Sequence, residues 1–346
     1  MRNVDPVTGL IYVQFYLRFK FSNLERLYEQ IPMRTILLFF FLYWSAVACA
    51  QQAGPFKKDN ILKTSGKIIR NSVLSVPGDF AFMGKEISDD WGKTGLYSLG
   101  IVNLILTDKI TTRFLQDHIE PNVNYSLPDI SVFKKGKHID WLTGNDAYMS
   151  YPVIGLYAGS LLMNNEKGQY VAVNAFKSLS YSILITQLGL KTIFGRNRPN
   201  RPLGAATSET GPWTNNHLDF FNTRSVFLSS DAGASSFPSL HTTAYFAMAK
   251  VFQMEYDNYW ILYGLMSLFF LADLKEHNHW VGDMVTGGLV GTLIGRSVVK
   301  NSWKIRYGTP AGKKKDYTLH FIPQFLPQTD YTPAAVLLTV RLNPNR

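Results

Sequence analysis

The sequence contains a single cysteine, Cys49, and charged residues make up only 17% of its 346 residues. One cysteine cannot form an internal disulfide, so a disulfide-stapled scaffold is excluded. The apolar runs are shorter than the about 20 residues that a membrane-spanning helix needs, and neither an internal repeat nor a low-complexity tract is present. These absences favour a water-soluble globular chain. Membrane attachment stays open, because the segment 259–272 is nearly long enough to span when its flanks are added.

The N-terminal region has the features of an export signal. Met33, Arg34 and Thr35 precede the apolar run ILLFFFLYWSAVACA, and Ala48-Cys49-Ala50 is a typical small-x-small cleavage site. Cleavage after Ala50 would remove the only cysteine and, with it, any thiol chemistry. We therefore predict an exported protein, either periplasmic or associated with the envelope membrane.

Other interpretations of this region remain open. Residues 36–50 are short for a permanent membrane anchor, and a lipoprotein with Cys49 as the lipidated residue is a weaker variant. Residues 1–32 precede a second plausible start at Met33. They are either an over-extended start of the reading frame or an uncleaved cytoplasmic lead.

The chain is basic, with a formal net charge of +10. The first 50 residues hold five Lys/Arg and three acids, which leaves a net charge of +8 on the remainder. The bases are scattered and no nucleic-acid-binding module is recognisable, so we expect no nucleic acid partner. A phosphorylated small molecule or lipid, or an anionic membrane surface, fits better with export.

Apolar residues at helical spacing predict an all-α bundle of about six helices. Residues 1–50 would be lead and signal, 51–92 an N-terminal extension with Val73–Met83 as an apolar lead-in, 93–300 the catalytic domain and 301–346 a C-terminal extension. Tyr317–Pro323 and Ala334–Leu342 predict short strands in that extension. The predicted helices are Thr94–His118, Tyr148–Met163, Tyr170–Phe194, Leu240–Tyr256, Tyr259–Leu274 and His279–Val299.

The last predicted helix carries glycines at four-residue spacing, Gly287, Gly291 and Gly295. Residues four apart lie on nearly the same helix face. A face without side chains lets another helix backbone approach closely, as it does in membranes and in tight cores. We therefore expect a closely packed partner helix along this face.

Two segments combine groups that can bind phosphate. In KTIFGRNRP, Lys191 and Arg198 would project from a constrained helix end, with Arg196 and Arg201 nearby. In SFPSLHTT, Ser239 and the first N–H groups of the following helix form an anion seat, which His241 would face. Taken separately, each has an ordinary alternative: a solvated basic loop, and a serine cap beside a partly buried histidine.

The third segment, DLKEHNHWVGD, supplies a candidate nucleophile. His279 and Asp283 lie four apart at a helix start, so the carboxylate can hold one ring nitrogen while the other faces a pocket. His277 has Val281 at the equivalent spacing and is a neighbour of unassigned role. A metal site built from His277, His279, Asp273 and Asp283 is the alternative, but the spacing does not match a helical His-x-x-x-His pair.

Together the three segments resemble the type 2 phosphatidic acid phosphatase superfamily, which includes bacterial acid phosphatases and vanadium-dependent haloperoxidases. Lys191, Arg198 and Pro199 match its first motif, and Pro238, Ser239 and His241 match the second, with Leu240 in place of glycine. His279 and Asp283 match the third motif. There, Ala272 and Asp273 stand where the family has Ser-Arg, so the third motif is atypical.

The resemblance implies an α-helical bundle and a role for each residue. His279 would form a phosphohistidine, Asp283 would orient it, and His241 would act as general acid and then as general base. The phosphoryl oxygens would be held by Lys191, Arg198, Ser239 and the Leu240 N–H. No metal or other cofactor is implied, and vanadate is expected only as a phosphate mimic.

Two departures from the family pattern lead to competing hypotheses about function. Asp273 replaces a phosphate-binding arginine, and Lys275, Arg196 or Arg201 would have to substitute for it; Leu240 adds bulk beside the phosphate. We predict an exported metal-independent phosphatase acting on phosphate monoesters or lipid (pyro)phosphates. The alternatives are an impaired relative that binds phosphorylated lipid or serves as an envelope structural protein, and a vanadate haloperoxidase.

Overall fold

The computed structural model describes residues 3–4, 11–12, 61–126, 147–205, 213–222, 233–277, 279–308, 317–326 and 335–344. The chain divides into two compact units, Met33–Pro310 and the paired segments Met1–Pro32 and Ala311–Arg346. The predicted signal peptide lies outside the described residues. The first unit contains the helices and the second contains short antiparallel strand pairs.

The helices of the large unit begin well before the predicted domain. The described helices are α1 (Ile61–Leu74), α2 (Val76–Ser88), α3 (Trp91–Phe114), α4 (Ala147–Leu162), α5 (Glu166–Ser182), α6 (Lys191–Phe194), α7 (Leu240–Tyr256), α8 (Trp260–His277) and α9 (Val281–Tyr307). π-helical turns extend α3 through Leu115–Ile119 and join α5 to α6 through Ile183–Leu190. The all-α prediction is confirmed, and each of the six predicted helices is found within a few residues of its expected ends, except that α9 extends to Tyr307.

The N-terminal extension differs from its predicted form. Val73–Met83, predicted as an apolar lead-in, is largely helical and comprises the end of α1 and the start of α2. Pro77 lies in the first turn of α2. Proline is tolerated there because the first helical N–H groups have no partner within the helix.

A buried polar cluster joins α2 to the rest of the bundle. Asp79 is fully buried, and its carboxylate binds Lys177 Nζ of α5 at 2.5 Å. Tyr181 donates to the same carboxylate at 2.8 Å, and Asn301 Nδ2 of α9 donates to its other oxygen at 2.8 Å. Because a buried charge is costly unless it is paired, these contacts tie α2 to α5 and α9.

Helix ends are fixed by side chains typical of caps. Asn165 and Asp90 accept hydrogen bonds from Gly168 N and Lys93 N at the starts of α5 and α3, both at 2.9 Å. Gly195, with φ of 44°, ends α6, and a Cβ there would lie 2.0 Å from Asn222 O. Only glycine therefore lets the chain turn into the segment around Arg196.

The glycines of α9 face α7. A Cβ at Gly287 would lie 2.6 Å from Ser239 O, one at Gly291 would lie 2.1 Å from Thr243 O, and one at Gly295 would lie 2.3 Å from Ala247 O. The partner helix expected from the sequence is thus α7. The close approach sets the position of the start of α7 against the start of α9.

The main apolar core lies around α7. Tyr245, Ala244 and Val251 of α7 are fully buried and pack with residues of α4, α5, α8 and α9. Tyr148 of α4 and Tyr245 share a buried hydrogen bond of 2.5 Å between their hydroxyls. Among the described helices, none combines the length and apolar character that a membrane crossing requires.

The described strands form two-stranded sheets. β1 (Asn3–Val4) pairs antiparallel with β2 (Ile11–Tyr12), and β3 (Arg198–Pro199) pairs parallel with β4 (Trp213–Thr214). β5 (Tyr317–Leu326) and β6 (Ala335–Pro344) form an antiparallel hairpin in which Tyr317 is opposite Pro344. The predicted C-terminal β extension is therefore confirmed, with both strands extending past their predicted ends.

Substituting Gly291 tests the α7–α9 contact. Gly291→Ala should lower the free energy of unfolding by about 2–3 kcal/mol, because the added methyl group meets a backbone oxygen that cannot rotate away. Gly84→Ala on α2, where no heavy atom lies within 4 Å of the new Cβ, should be neutral or stabilise by about 0.5–1 kcal/mol. Urea unfolding of both variants measures the difference, and equal stability would contradict the close contact.

Candidate active site

Three hydrogen bonds to backbone oxygens bring the three sequence segments together. Ser236 N donates to Arg196 O at 2.9 Å, and Ser239 N donates to Asp283 O at 3.0 Å. Trp280 Nε1 donates to Asn197 O at 3.0 Å. Each segment is therefore hydrogen-bonded to the other two, and their side chains share one site.

Asp283 lies at the centre of this site and is fully buried. Its Oδ1 accepts from Arg196 Nη1 at 2.5 Å. Its Oδ2 accepts from the Ser236 hydroxyl and from Trp280 N, the latter at 3.2 Å. Burial by itself would raise the pKa of Asp283, but Arg196, His279 and Ser236 outweigh it and hold the pKa below its ordinary value. Asp283 is thus a fixed, ionised carboxylate.

His279 lies beside this carboxylate. Its Nδ1 is 3.8 Å from Asp283 Oδ2 and 3.4 Å from Ser236 Oγ. The first distance is an electrostatic contact rather than a hydrogen bond, so the hydroxyl of Ser236 is the nearer partner. Because the Ser236 hydroxyl donates its own proton to Asp283, its oxygen can accept a hydrogen bond from Nδ1–H, and the negative charge of Asp283 also favours a proton on Nδ1. Nε2 then carries the lone pair.

The ring of His279 is held in its uncharged form. Burial lowers the pKa of His279 to about 3, and the charges of Arg198 and Lys191 add to this effect against the opposing influence of Asp283. A neutral imidazole keeps its nucleophilic lone pair, whereas imidazolium has none. Lys191 and Arg198 therefore lie within electrostatic range of the His279 ring.

Each of these cations is positioned by its own element. Lys191 begins α6 at the end of the π-helical turn and is only 4% exposed. Arg198 lies in β3, and its Nε donates to Ser235 Oγ at 3.3 Å. A cation on each of two adjoining elements, next to a neutral histidine, is an arrangement suited to an oxyanion.

The start of α7 forms another part of the site. Ser239 is buried and caps the helix, accepting from Thr242 N at 3.4 Å. The side chain of Leu240 is 8% exposed and packs in the main apolar core. The bulk expected beside the phosphate is therefore directed into the protein, while the Leu240 N–H remains in the first turn, where helical hydrogen bonds have not yet begun.

His241 follows in the same turn. Its ring is half-buried and tilted against Tyr245, with 6.3 Å between ring centroids. The contact between Ser239 N and Asp283 O joins the start of α7 to that of α9. His241 and His279 therefore lie on two chain segments that meet at this bond.

From the sequence, Arg196 was a possible substitute for the phosphate-binding arginine, but the structure gives it a different role. It is fully buried, with Nη2 bound to Asp108 Oδ2 at 2.8 Å as well as Nη1 bound to Asp283. Its guanidinium lies 4.6 Å from the ring of Phe220 and 5.0 Å from that of Trp280. Because two carboxylates engage it, Arg196 supports Asp283 and does not replace the missing phosphate-binding arginine.

The remaining residues near the atypical third motif, or considered as substitutes for its arginine, lie in different places. Arg201 forms an ion pair with Glu120 at 2.7 Å. Asp273, Lys275 and His277 belong to α8, but their side chains lie outside the described part of the structure. The preceding residue, Ala272, is fully buried.

Sequence reasoning missed two members of this site, Asp108 and Ser236. Asp108 of α3 is fully buried and accepts from Gly282 N at 2.6 Å as well as from Arg196. Burial raises the pKa of Asp108 to about 6, with Arg196 opposing and Asp283 adding to the shift. The sequence did contain a signal for Asp108, which is an acid within the apolar stretch NLILTDKI. Acids are almost never fully buried unless paired, so an acid in a buried helix indicates a buried cation nearby.

Within the described residues, no group of three or more His, Cys, Asp or Glu side chains is arranged to hold a metal ion. The chemistry that the arrangement supports directly is nucleophilic attack by Nε2 of a neutral histidine on an anionic group. That group would be held by Lys191, Arg198 and the start of α7.

Comparison with known proteins gives one match. Residues 171–307 match the family model of the PAP2 superfamily, and this range contains every matching motif residue discussed above. No curated protein and no solved structure matches the chain. PAP2 is a superfamily of phosphatases, so the match supports a phosphoric ester hydrolase in general. Residues 171–307 of this chain are therefore similar to the PAP2 superfamily, the family that the sequence motifs resemble.

Proposed function

We propose that this protein is an exported, metal-independent phosphatase that hydrolyses phosphate monoesters or lipid (pyro)phosphates through a phosphohistidine on His279. The observation that carries the proposal is the buried, uncharged His279 held beside Asp283 with Lys191 and Arg198 close enough to affect its pKa. A surface histidine next to an acid would have a raised pKa instead.

The first step forms a bond between His279 Nε2 and phosphorus and breaks the bond from phosphorus to the leaving oxygen. His241 donates a proton to that oxygen as it departs. Positive charge develops on the imidazole ring, and Asp283 stabilises it, as the carboxylate of a catalytic triad does. Lys191, Arg198, Ser239 and the Leu240 N–H hold the phosphoryl oxygens.

The second step returns the enzyme to its starting state. His241, now uncharged, takes a proton from a water molecule that attacks phosphorus. The bond between phosphorus and Nε2 breaks, phosphate leaves, and His279 is again neutral. All groups used in this scheme are side chains or backbone of the chain itself, and vanadate would act as a mimic of phosphate in the same place.

The sequence signal at residues 33–50 supports export, and a lipid substrate is supported by the surface of α3. Apolar side chains on this helix recur every three or four residues and are exposed within the described structure, including Leu99, Leu106 and Ile110 at 70%, 57% and 74%. With a basic net charge, such a face suits contact with an anionic membrane surface.

Replacing His279 tests the proposal directly. The full chain should release phosphate from at least one member of a panel of soluble and lipid phosphoesters, the lipids being presented in vesicles. His279→Ala should lower kcat by at least about 10³-fold, because it removes the nucleophile. A substrate labelled on its phosphoryl group should leave an acid-labile label on the wild type and none on His279→Ala. No release from any substrate would overturn the proposal.

Asp273 provides the test between this function and the alternative, an impaired relative that binds phosphorylated lipid or acts structurally in the envelope. Asp273→Arg restores the family residue and should raise kcat by up to about 10²–10³-fold, the effect of a single electrostatic contact in a transition state. Lipid binding with no turnover in either protein, and no label on His279, would favour the alternative.

The pH dependence follows from the lowered pKa of His279. A histidine near its usual pKa would lose half its nucleophile at pH 6.5, whereas His279 with a pKa of about 3 stays neutral throughout the range above pH 4. NMR of ¹⁵N-labelled histidine should show one ring that does not titrate between pH 5 and 8 and that is missing in His279→Ala. A ring that titrates near pH 6.5 would contradict its assigned environment.

Ser236 is expected to position Asp283 and His279 rather than to touch substrate. Ser236→Ala removes a hydrogen bond to a buried carboxylate, so kcat should fall by about 10–100-fold with little change in KM. The matched control is Ser178→Ala: Ser178 is equally buried, and its hydroxyl has no hydrogen-bond partner among the described residues. A rise in KM alone, or equal effects of both variants, would speak against positioning.

A further inference from the structure

A second polar cleft lies at the far end of α9 from the candidate active site. It has a volume of about 420 Å³ and is lined by residues of α1, of the start of α5 and of the end of α9. Arg306 in the cleft and Asp283 in the active site are both on α9, 23 residues apart, which corresponds to about 35 Å along a helix. The two sites are therefore separate.

The cleft brings together three cations from three helices. Lys67 belongs to α1, Lys167 to α5 and Arg306 to α9, while Glu166 is the one acid among the lining residues. Lys167 lies 5.1 Å from the ring of Tyr256, and Lys67 is exposed. Cations on separate elements repel one another, and a bound anion would relieve that repulsion.

Arg306 provides the buried part of the cleft. Its side chain is only 6% exposed, and its Nη2 binds Glu255. Its Nε is buried and has no hydrogen-bond partner among the described residues. A buried donor without a partner costs free energy. Because this Nε is closed off from solvent, a ligand in the cleft gives it an acceptor only as the lining side chains move aside.

The uncharged groups around Arg306 can contact the neutral part of a ligand whose anionic group binds the cations. The Tyr170 hydroxyl accepts from Asn71 Nδ2 at 3.4 Å and keeps its own proton to donate. Ile305 and Tyr307 supply apolar surface. The N-terminal N–H groups of α5, at Glu166 and Lys167, add the favourable end of a helix dipole.

We infer that this cleft binds the phosphate group of a small organic phosphate at a site distinct from the candidate active site. Two lysines and the helix start hold the phosphate oxygens, and the organic part lies against Tyr170, Ile305 and Tyr307. The volume exceeds what inorganic phosphate alone fills, which is why an organic phosphate is the expected ligand.

The test is calorimetric titration of the full chain with phenyl phosphonate, which carries a similar anionic group on an apolar ring and is not hydrolysed. Wild type should show two binding events. Lys67→Ala/Lys167→Ala should weaken one of them by about tenfold or more, the loss of roughly two exposed charge contacts. Lys63→Ala/Lys85→Ala removes the same charge from exposed positions on α1 and α2 and should leave both events unchanged.

Lys191→Ala separates this inference from the proposed function. If the cleft binds phosphonate, the cleft event persists in Lys191→Ala whether or not the active site binds or turns over phosphoesters. A single event that disappears in Lys191→Ala, the absence of any event, or equal weakening by both lysine pairs would overturn the inference.

Inorganic phosphate serves as the second ligand in the same titrations. Weaker binding of inorganic phosphate than of phenyl phosphonate at the cleft supports an organic ligand held by its apolar part as well. Equal affinities would overturn that part of the inference and identify the cleft as a site for free phosphate.

Discussion

The buried guanidinium of Arg196 is the interaction on which the site depends. It is shared by Asp108 of α3 and Asp283 of α9, and a backbone oxygen of the segment 213–222, His217 O, accepts from it as well. Two carboxylates out of water need this cation, and the cation needs them, because each buried charge is costly alone. The same contact fixes the position of Asp283 and thereby that of His279. Elements distant in sequence are thus joined through one side chain.

Close packing of α7 against α9 supplies the second constraint. Both helices begin at the site, and the glycines at 287, 291 and 295 allow backbone contact along their shared length. Ser239 at the start of α7 and the His279–Asp283 pair at the start of α9 therefore keep a fixed separation. Rigid placement of this kind is what electrostatic stabilisation of a phosphoryl group requires, since its donors act without reorganising.

The electrostatic environments at the two ends of α9 differ. At the candidate active site, burial and two nearby cations keep His279 uncharged while Arg196 keeps Asp283 ionised. At the other end of α9, cations from three helices surround a cleft with a partly unsatisfied Arg306. Basic side chains from different elements are thus gathered near both ends of α9.

The sequence by itself determined the all-α class, the positions of the six predicted helices and the three motifs, because helical periodicity, caps and motif spacing are local properties. It did not indicate α1 and α2. It also indicated the glycine face of α9, though not that α7 is its partner.

Only the tertiary structure decided the places of Asp108, Ser236 and Arg196. Their roles arise from contacts across 47 to 88 positions of chain, and burial, which sets the pKa of His279, depends on packing that no local pattern records. Leu240 shows the same limit: the sequence gives its bulk, but the fold directs that bulk into the core.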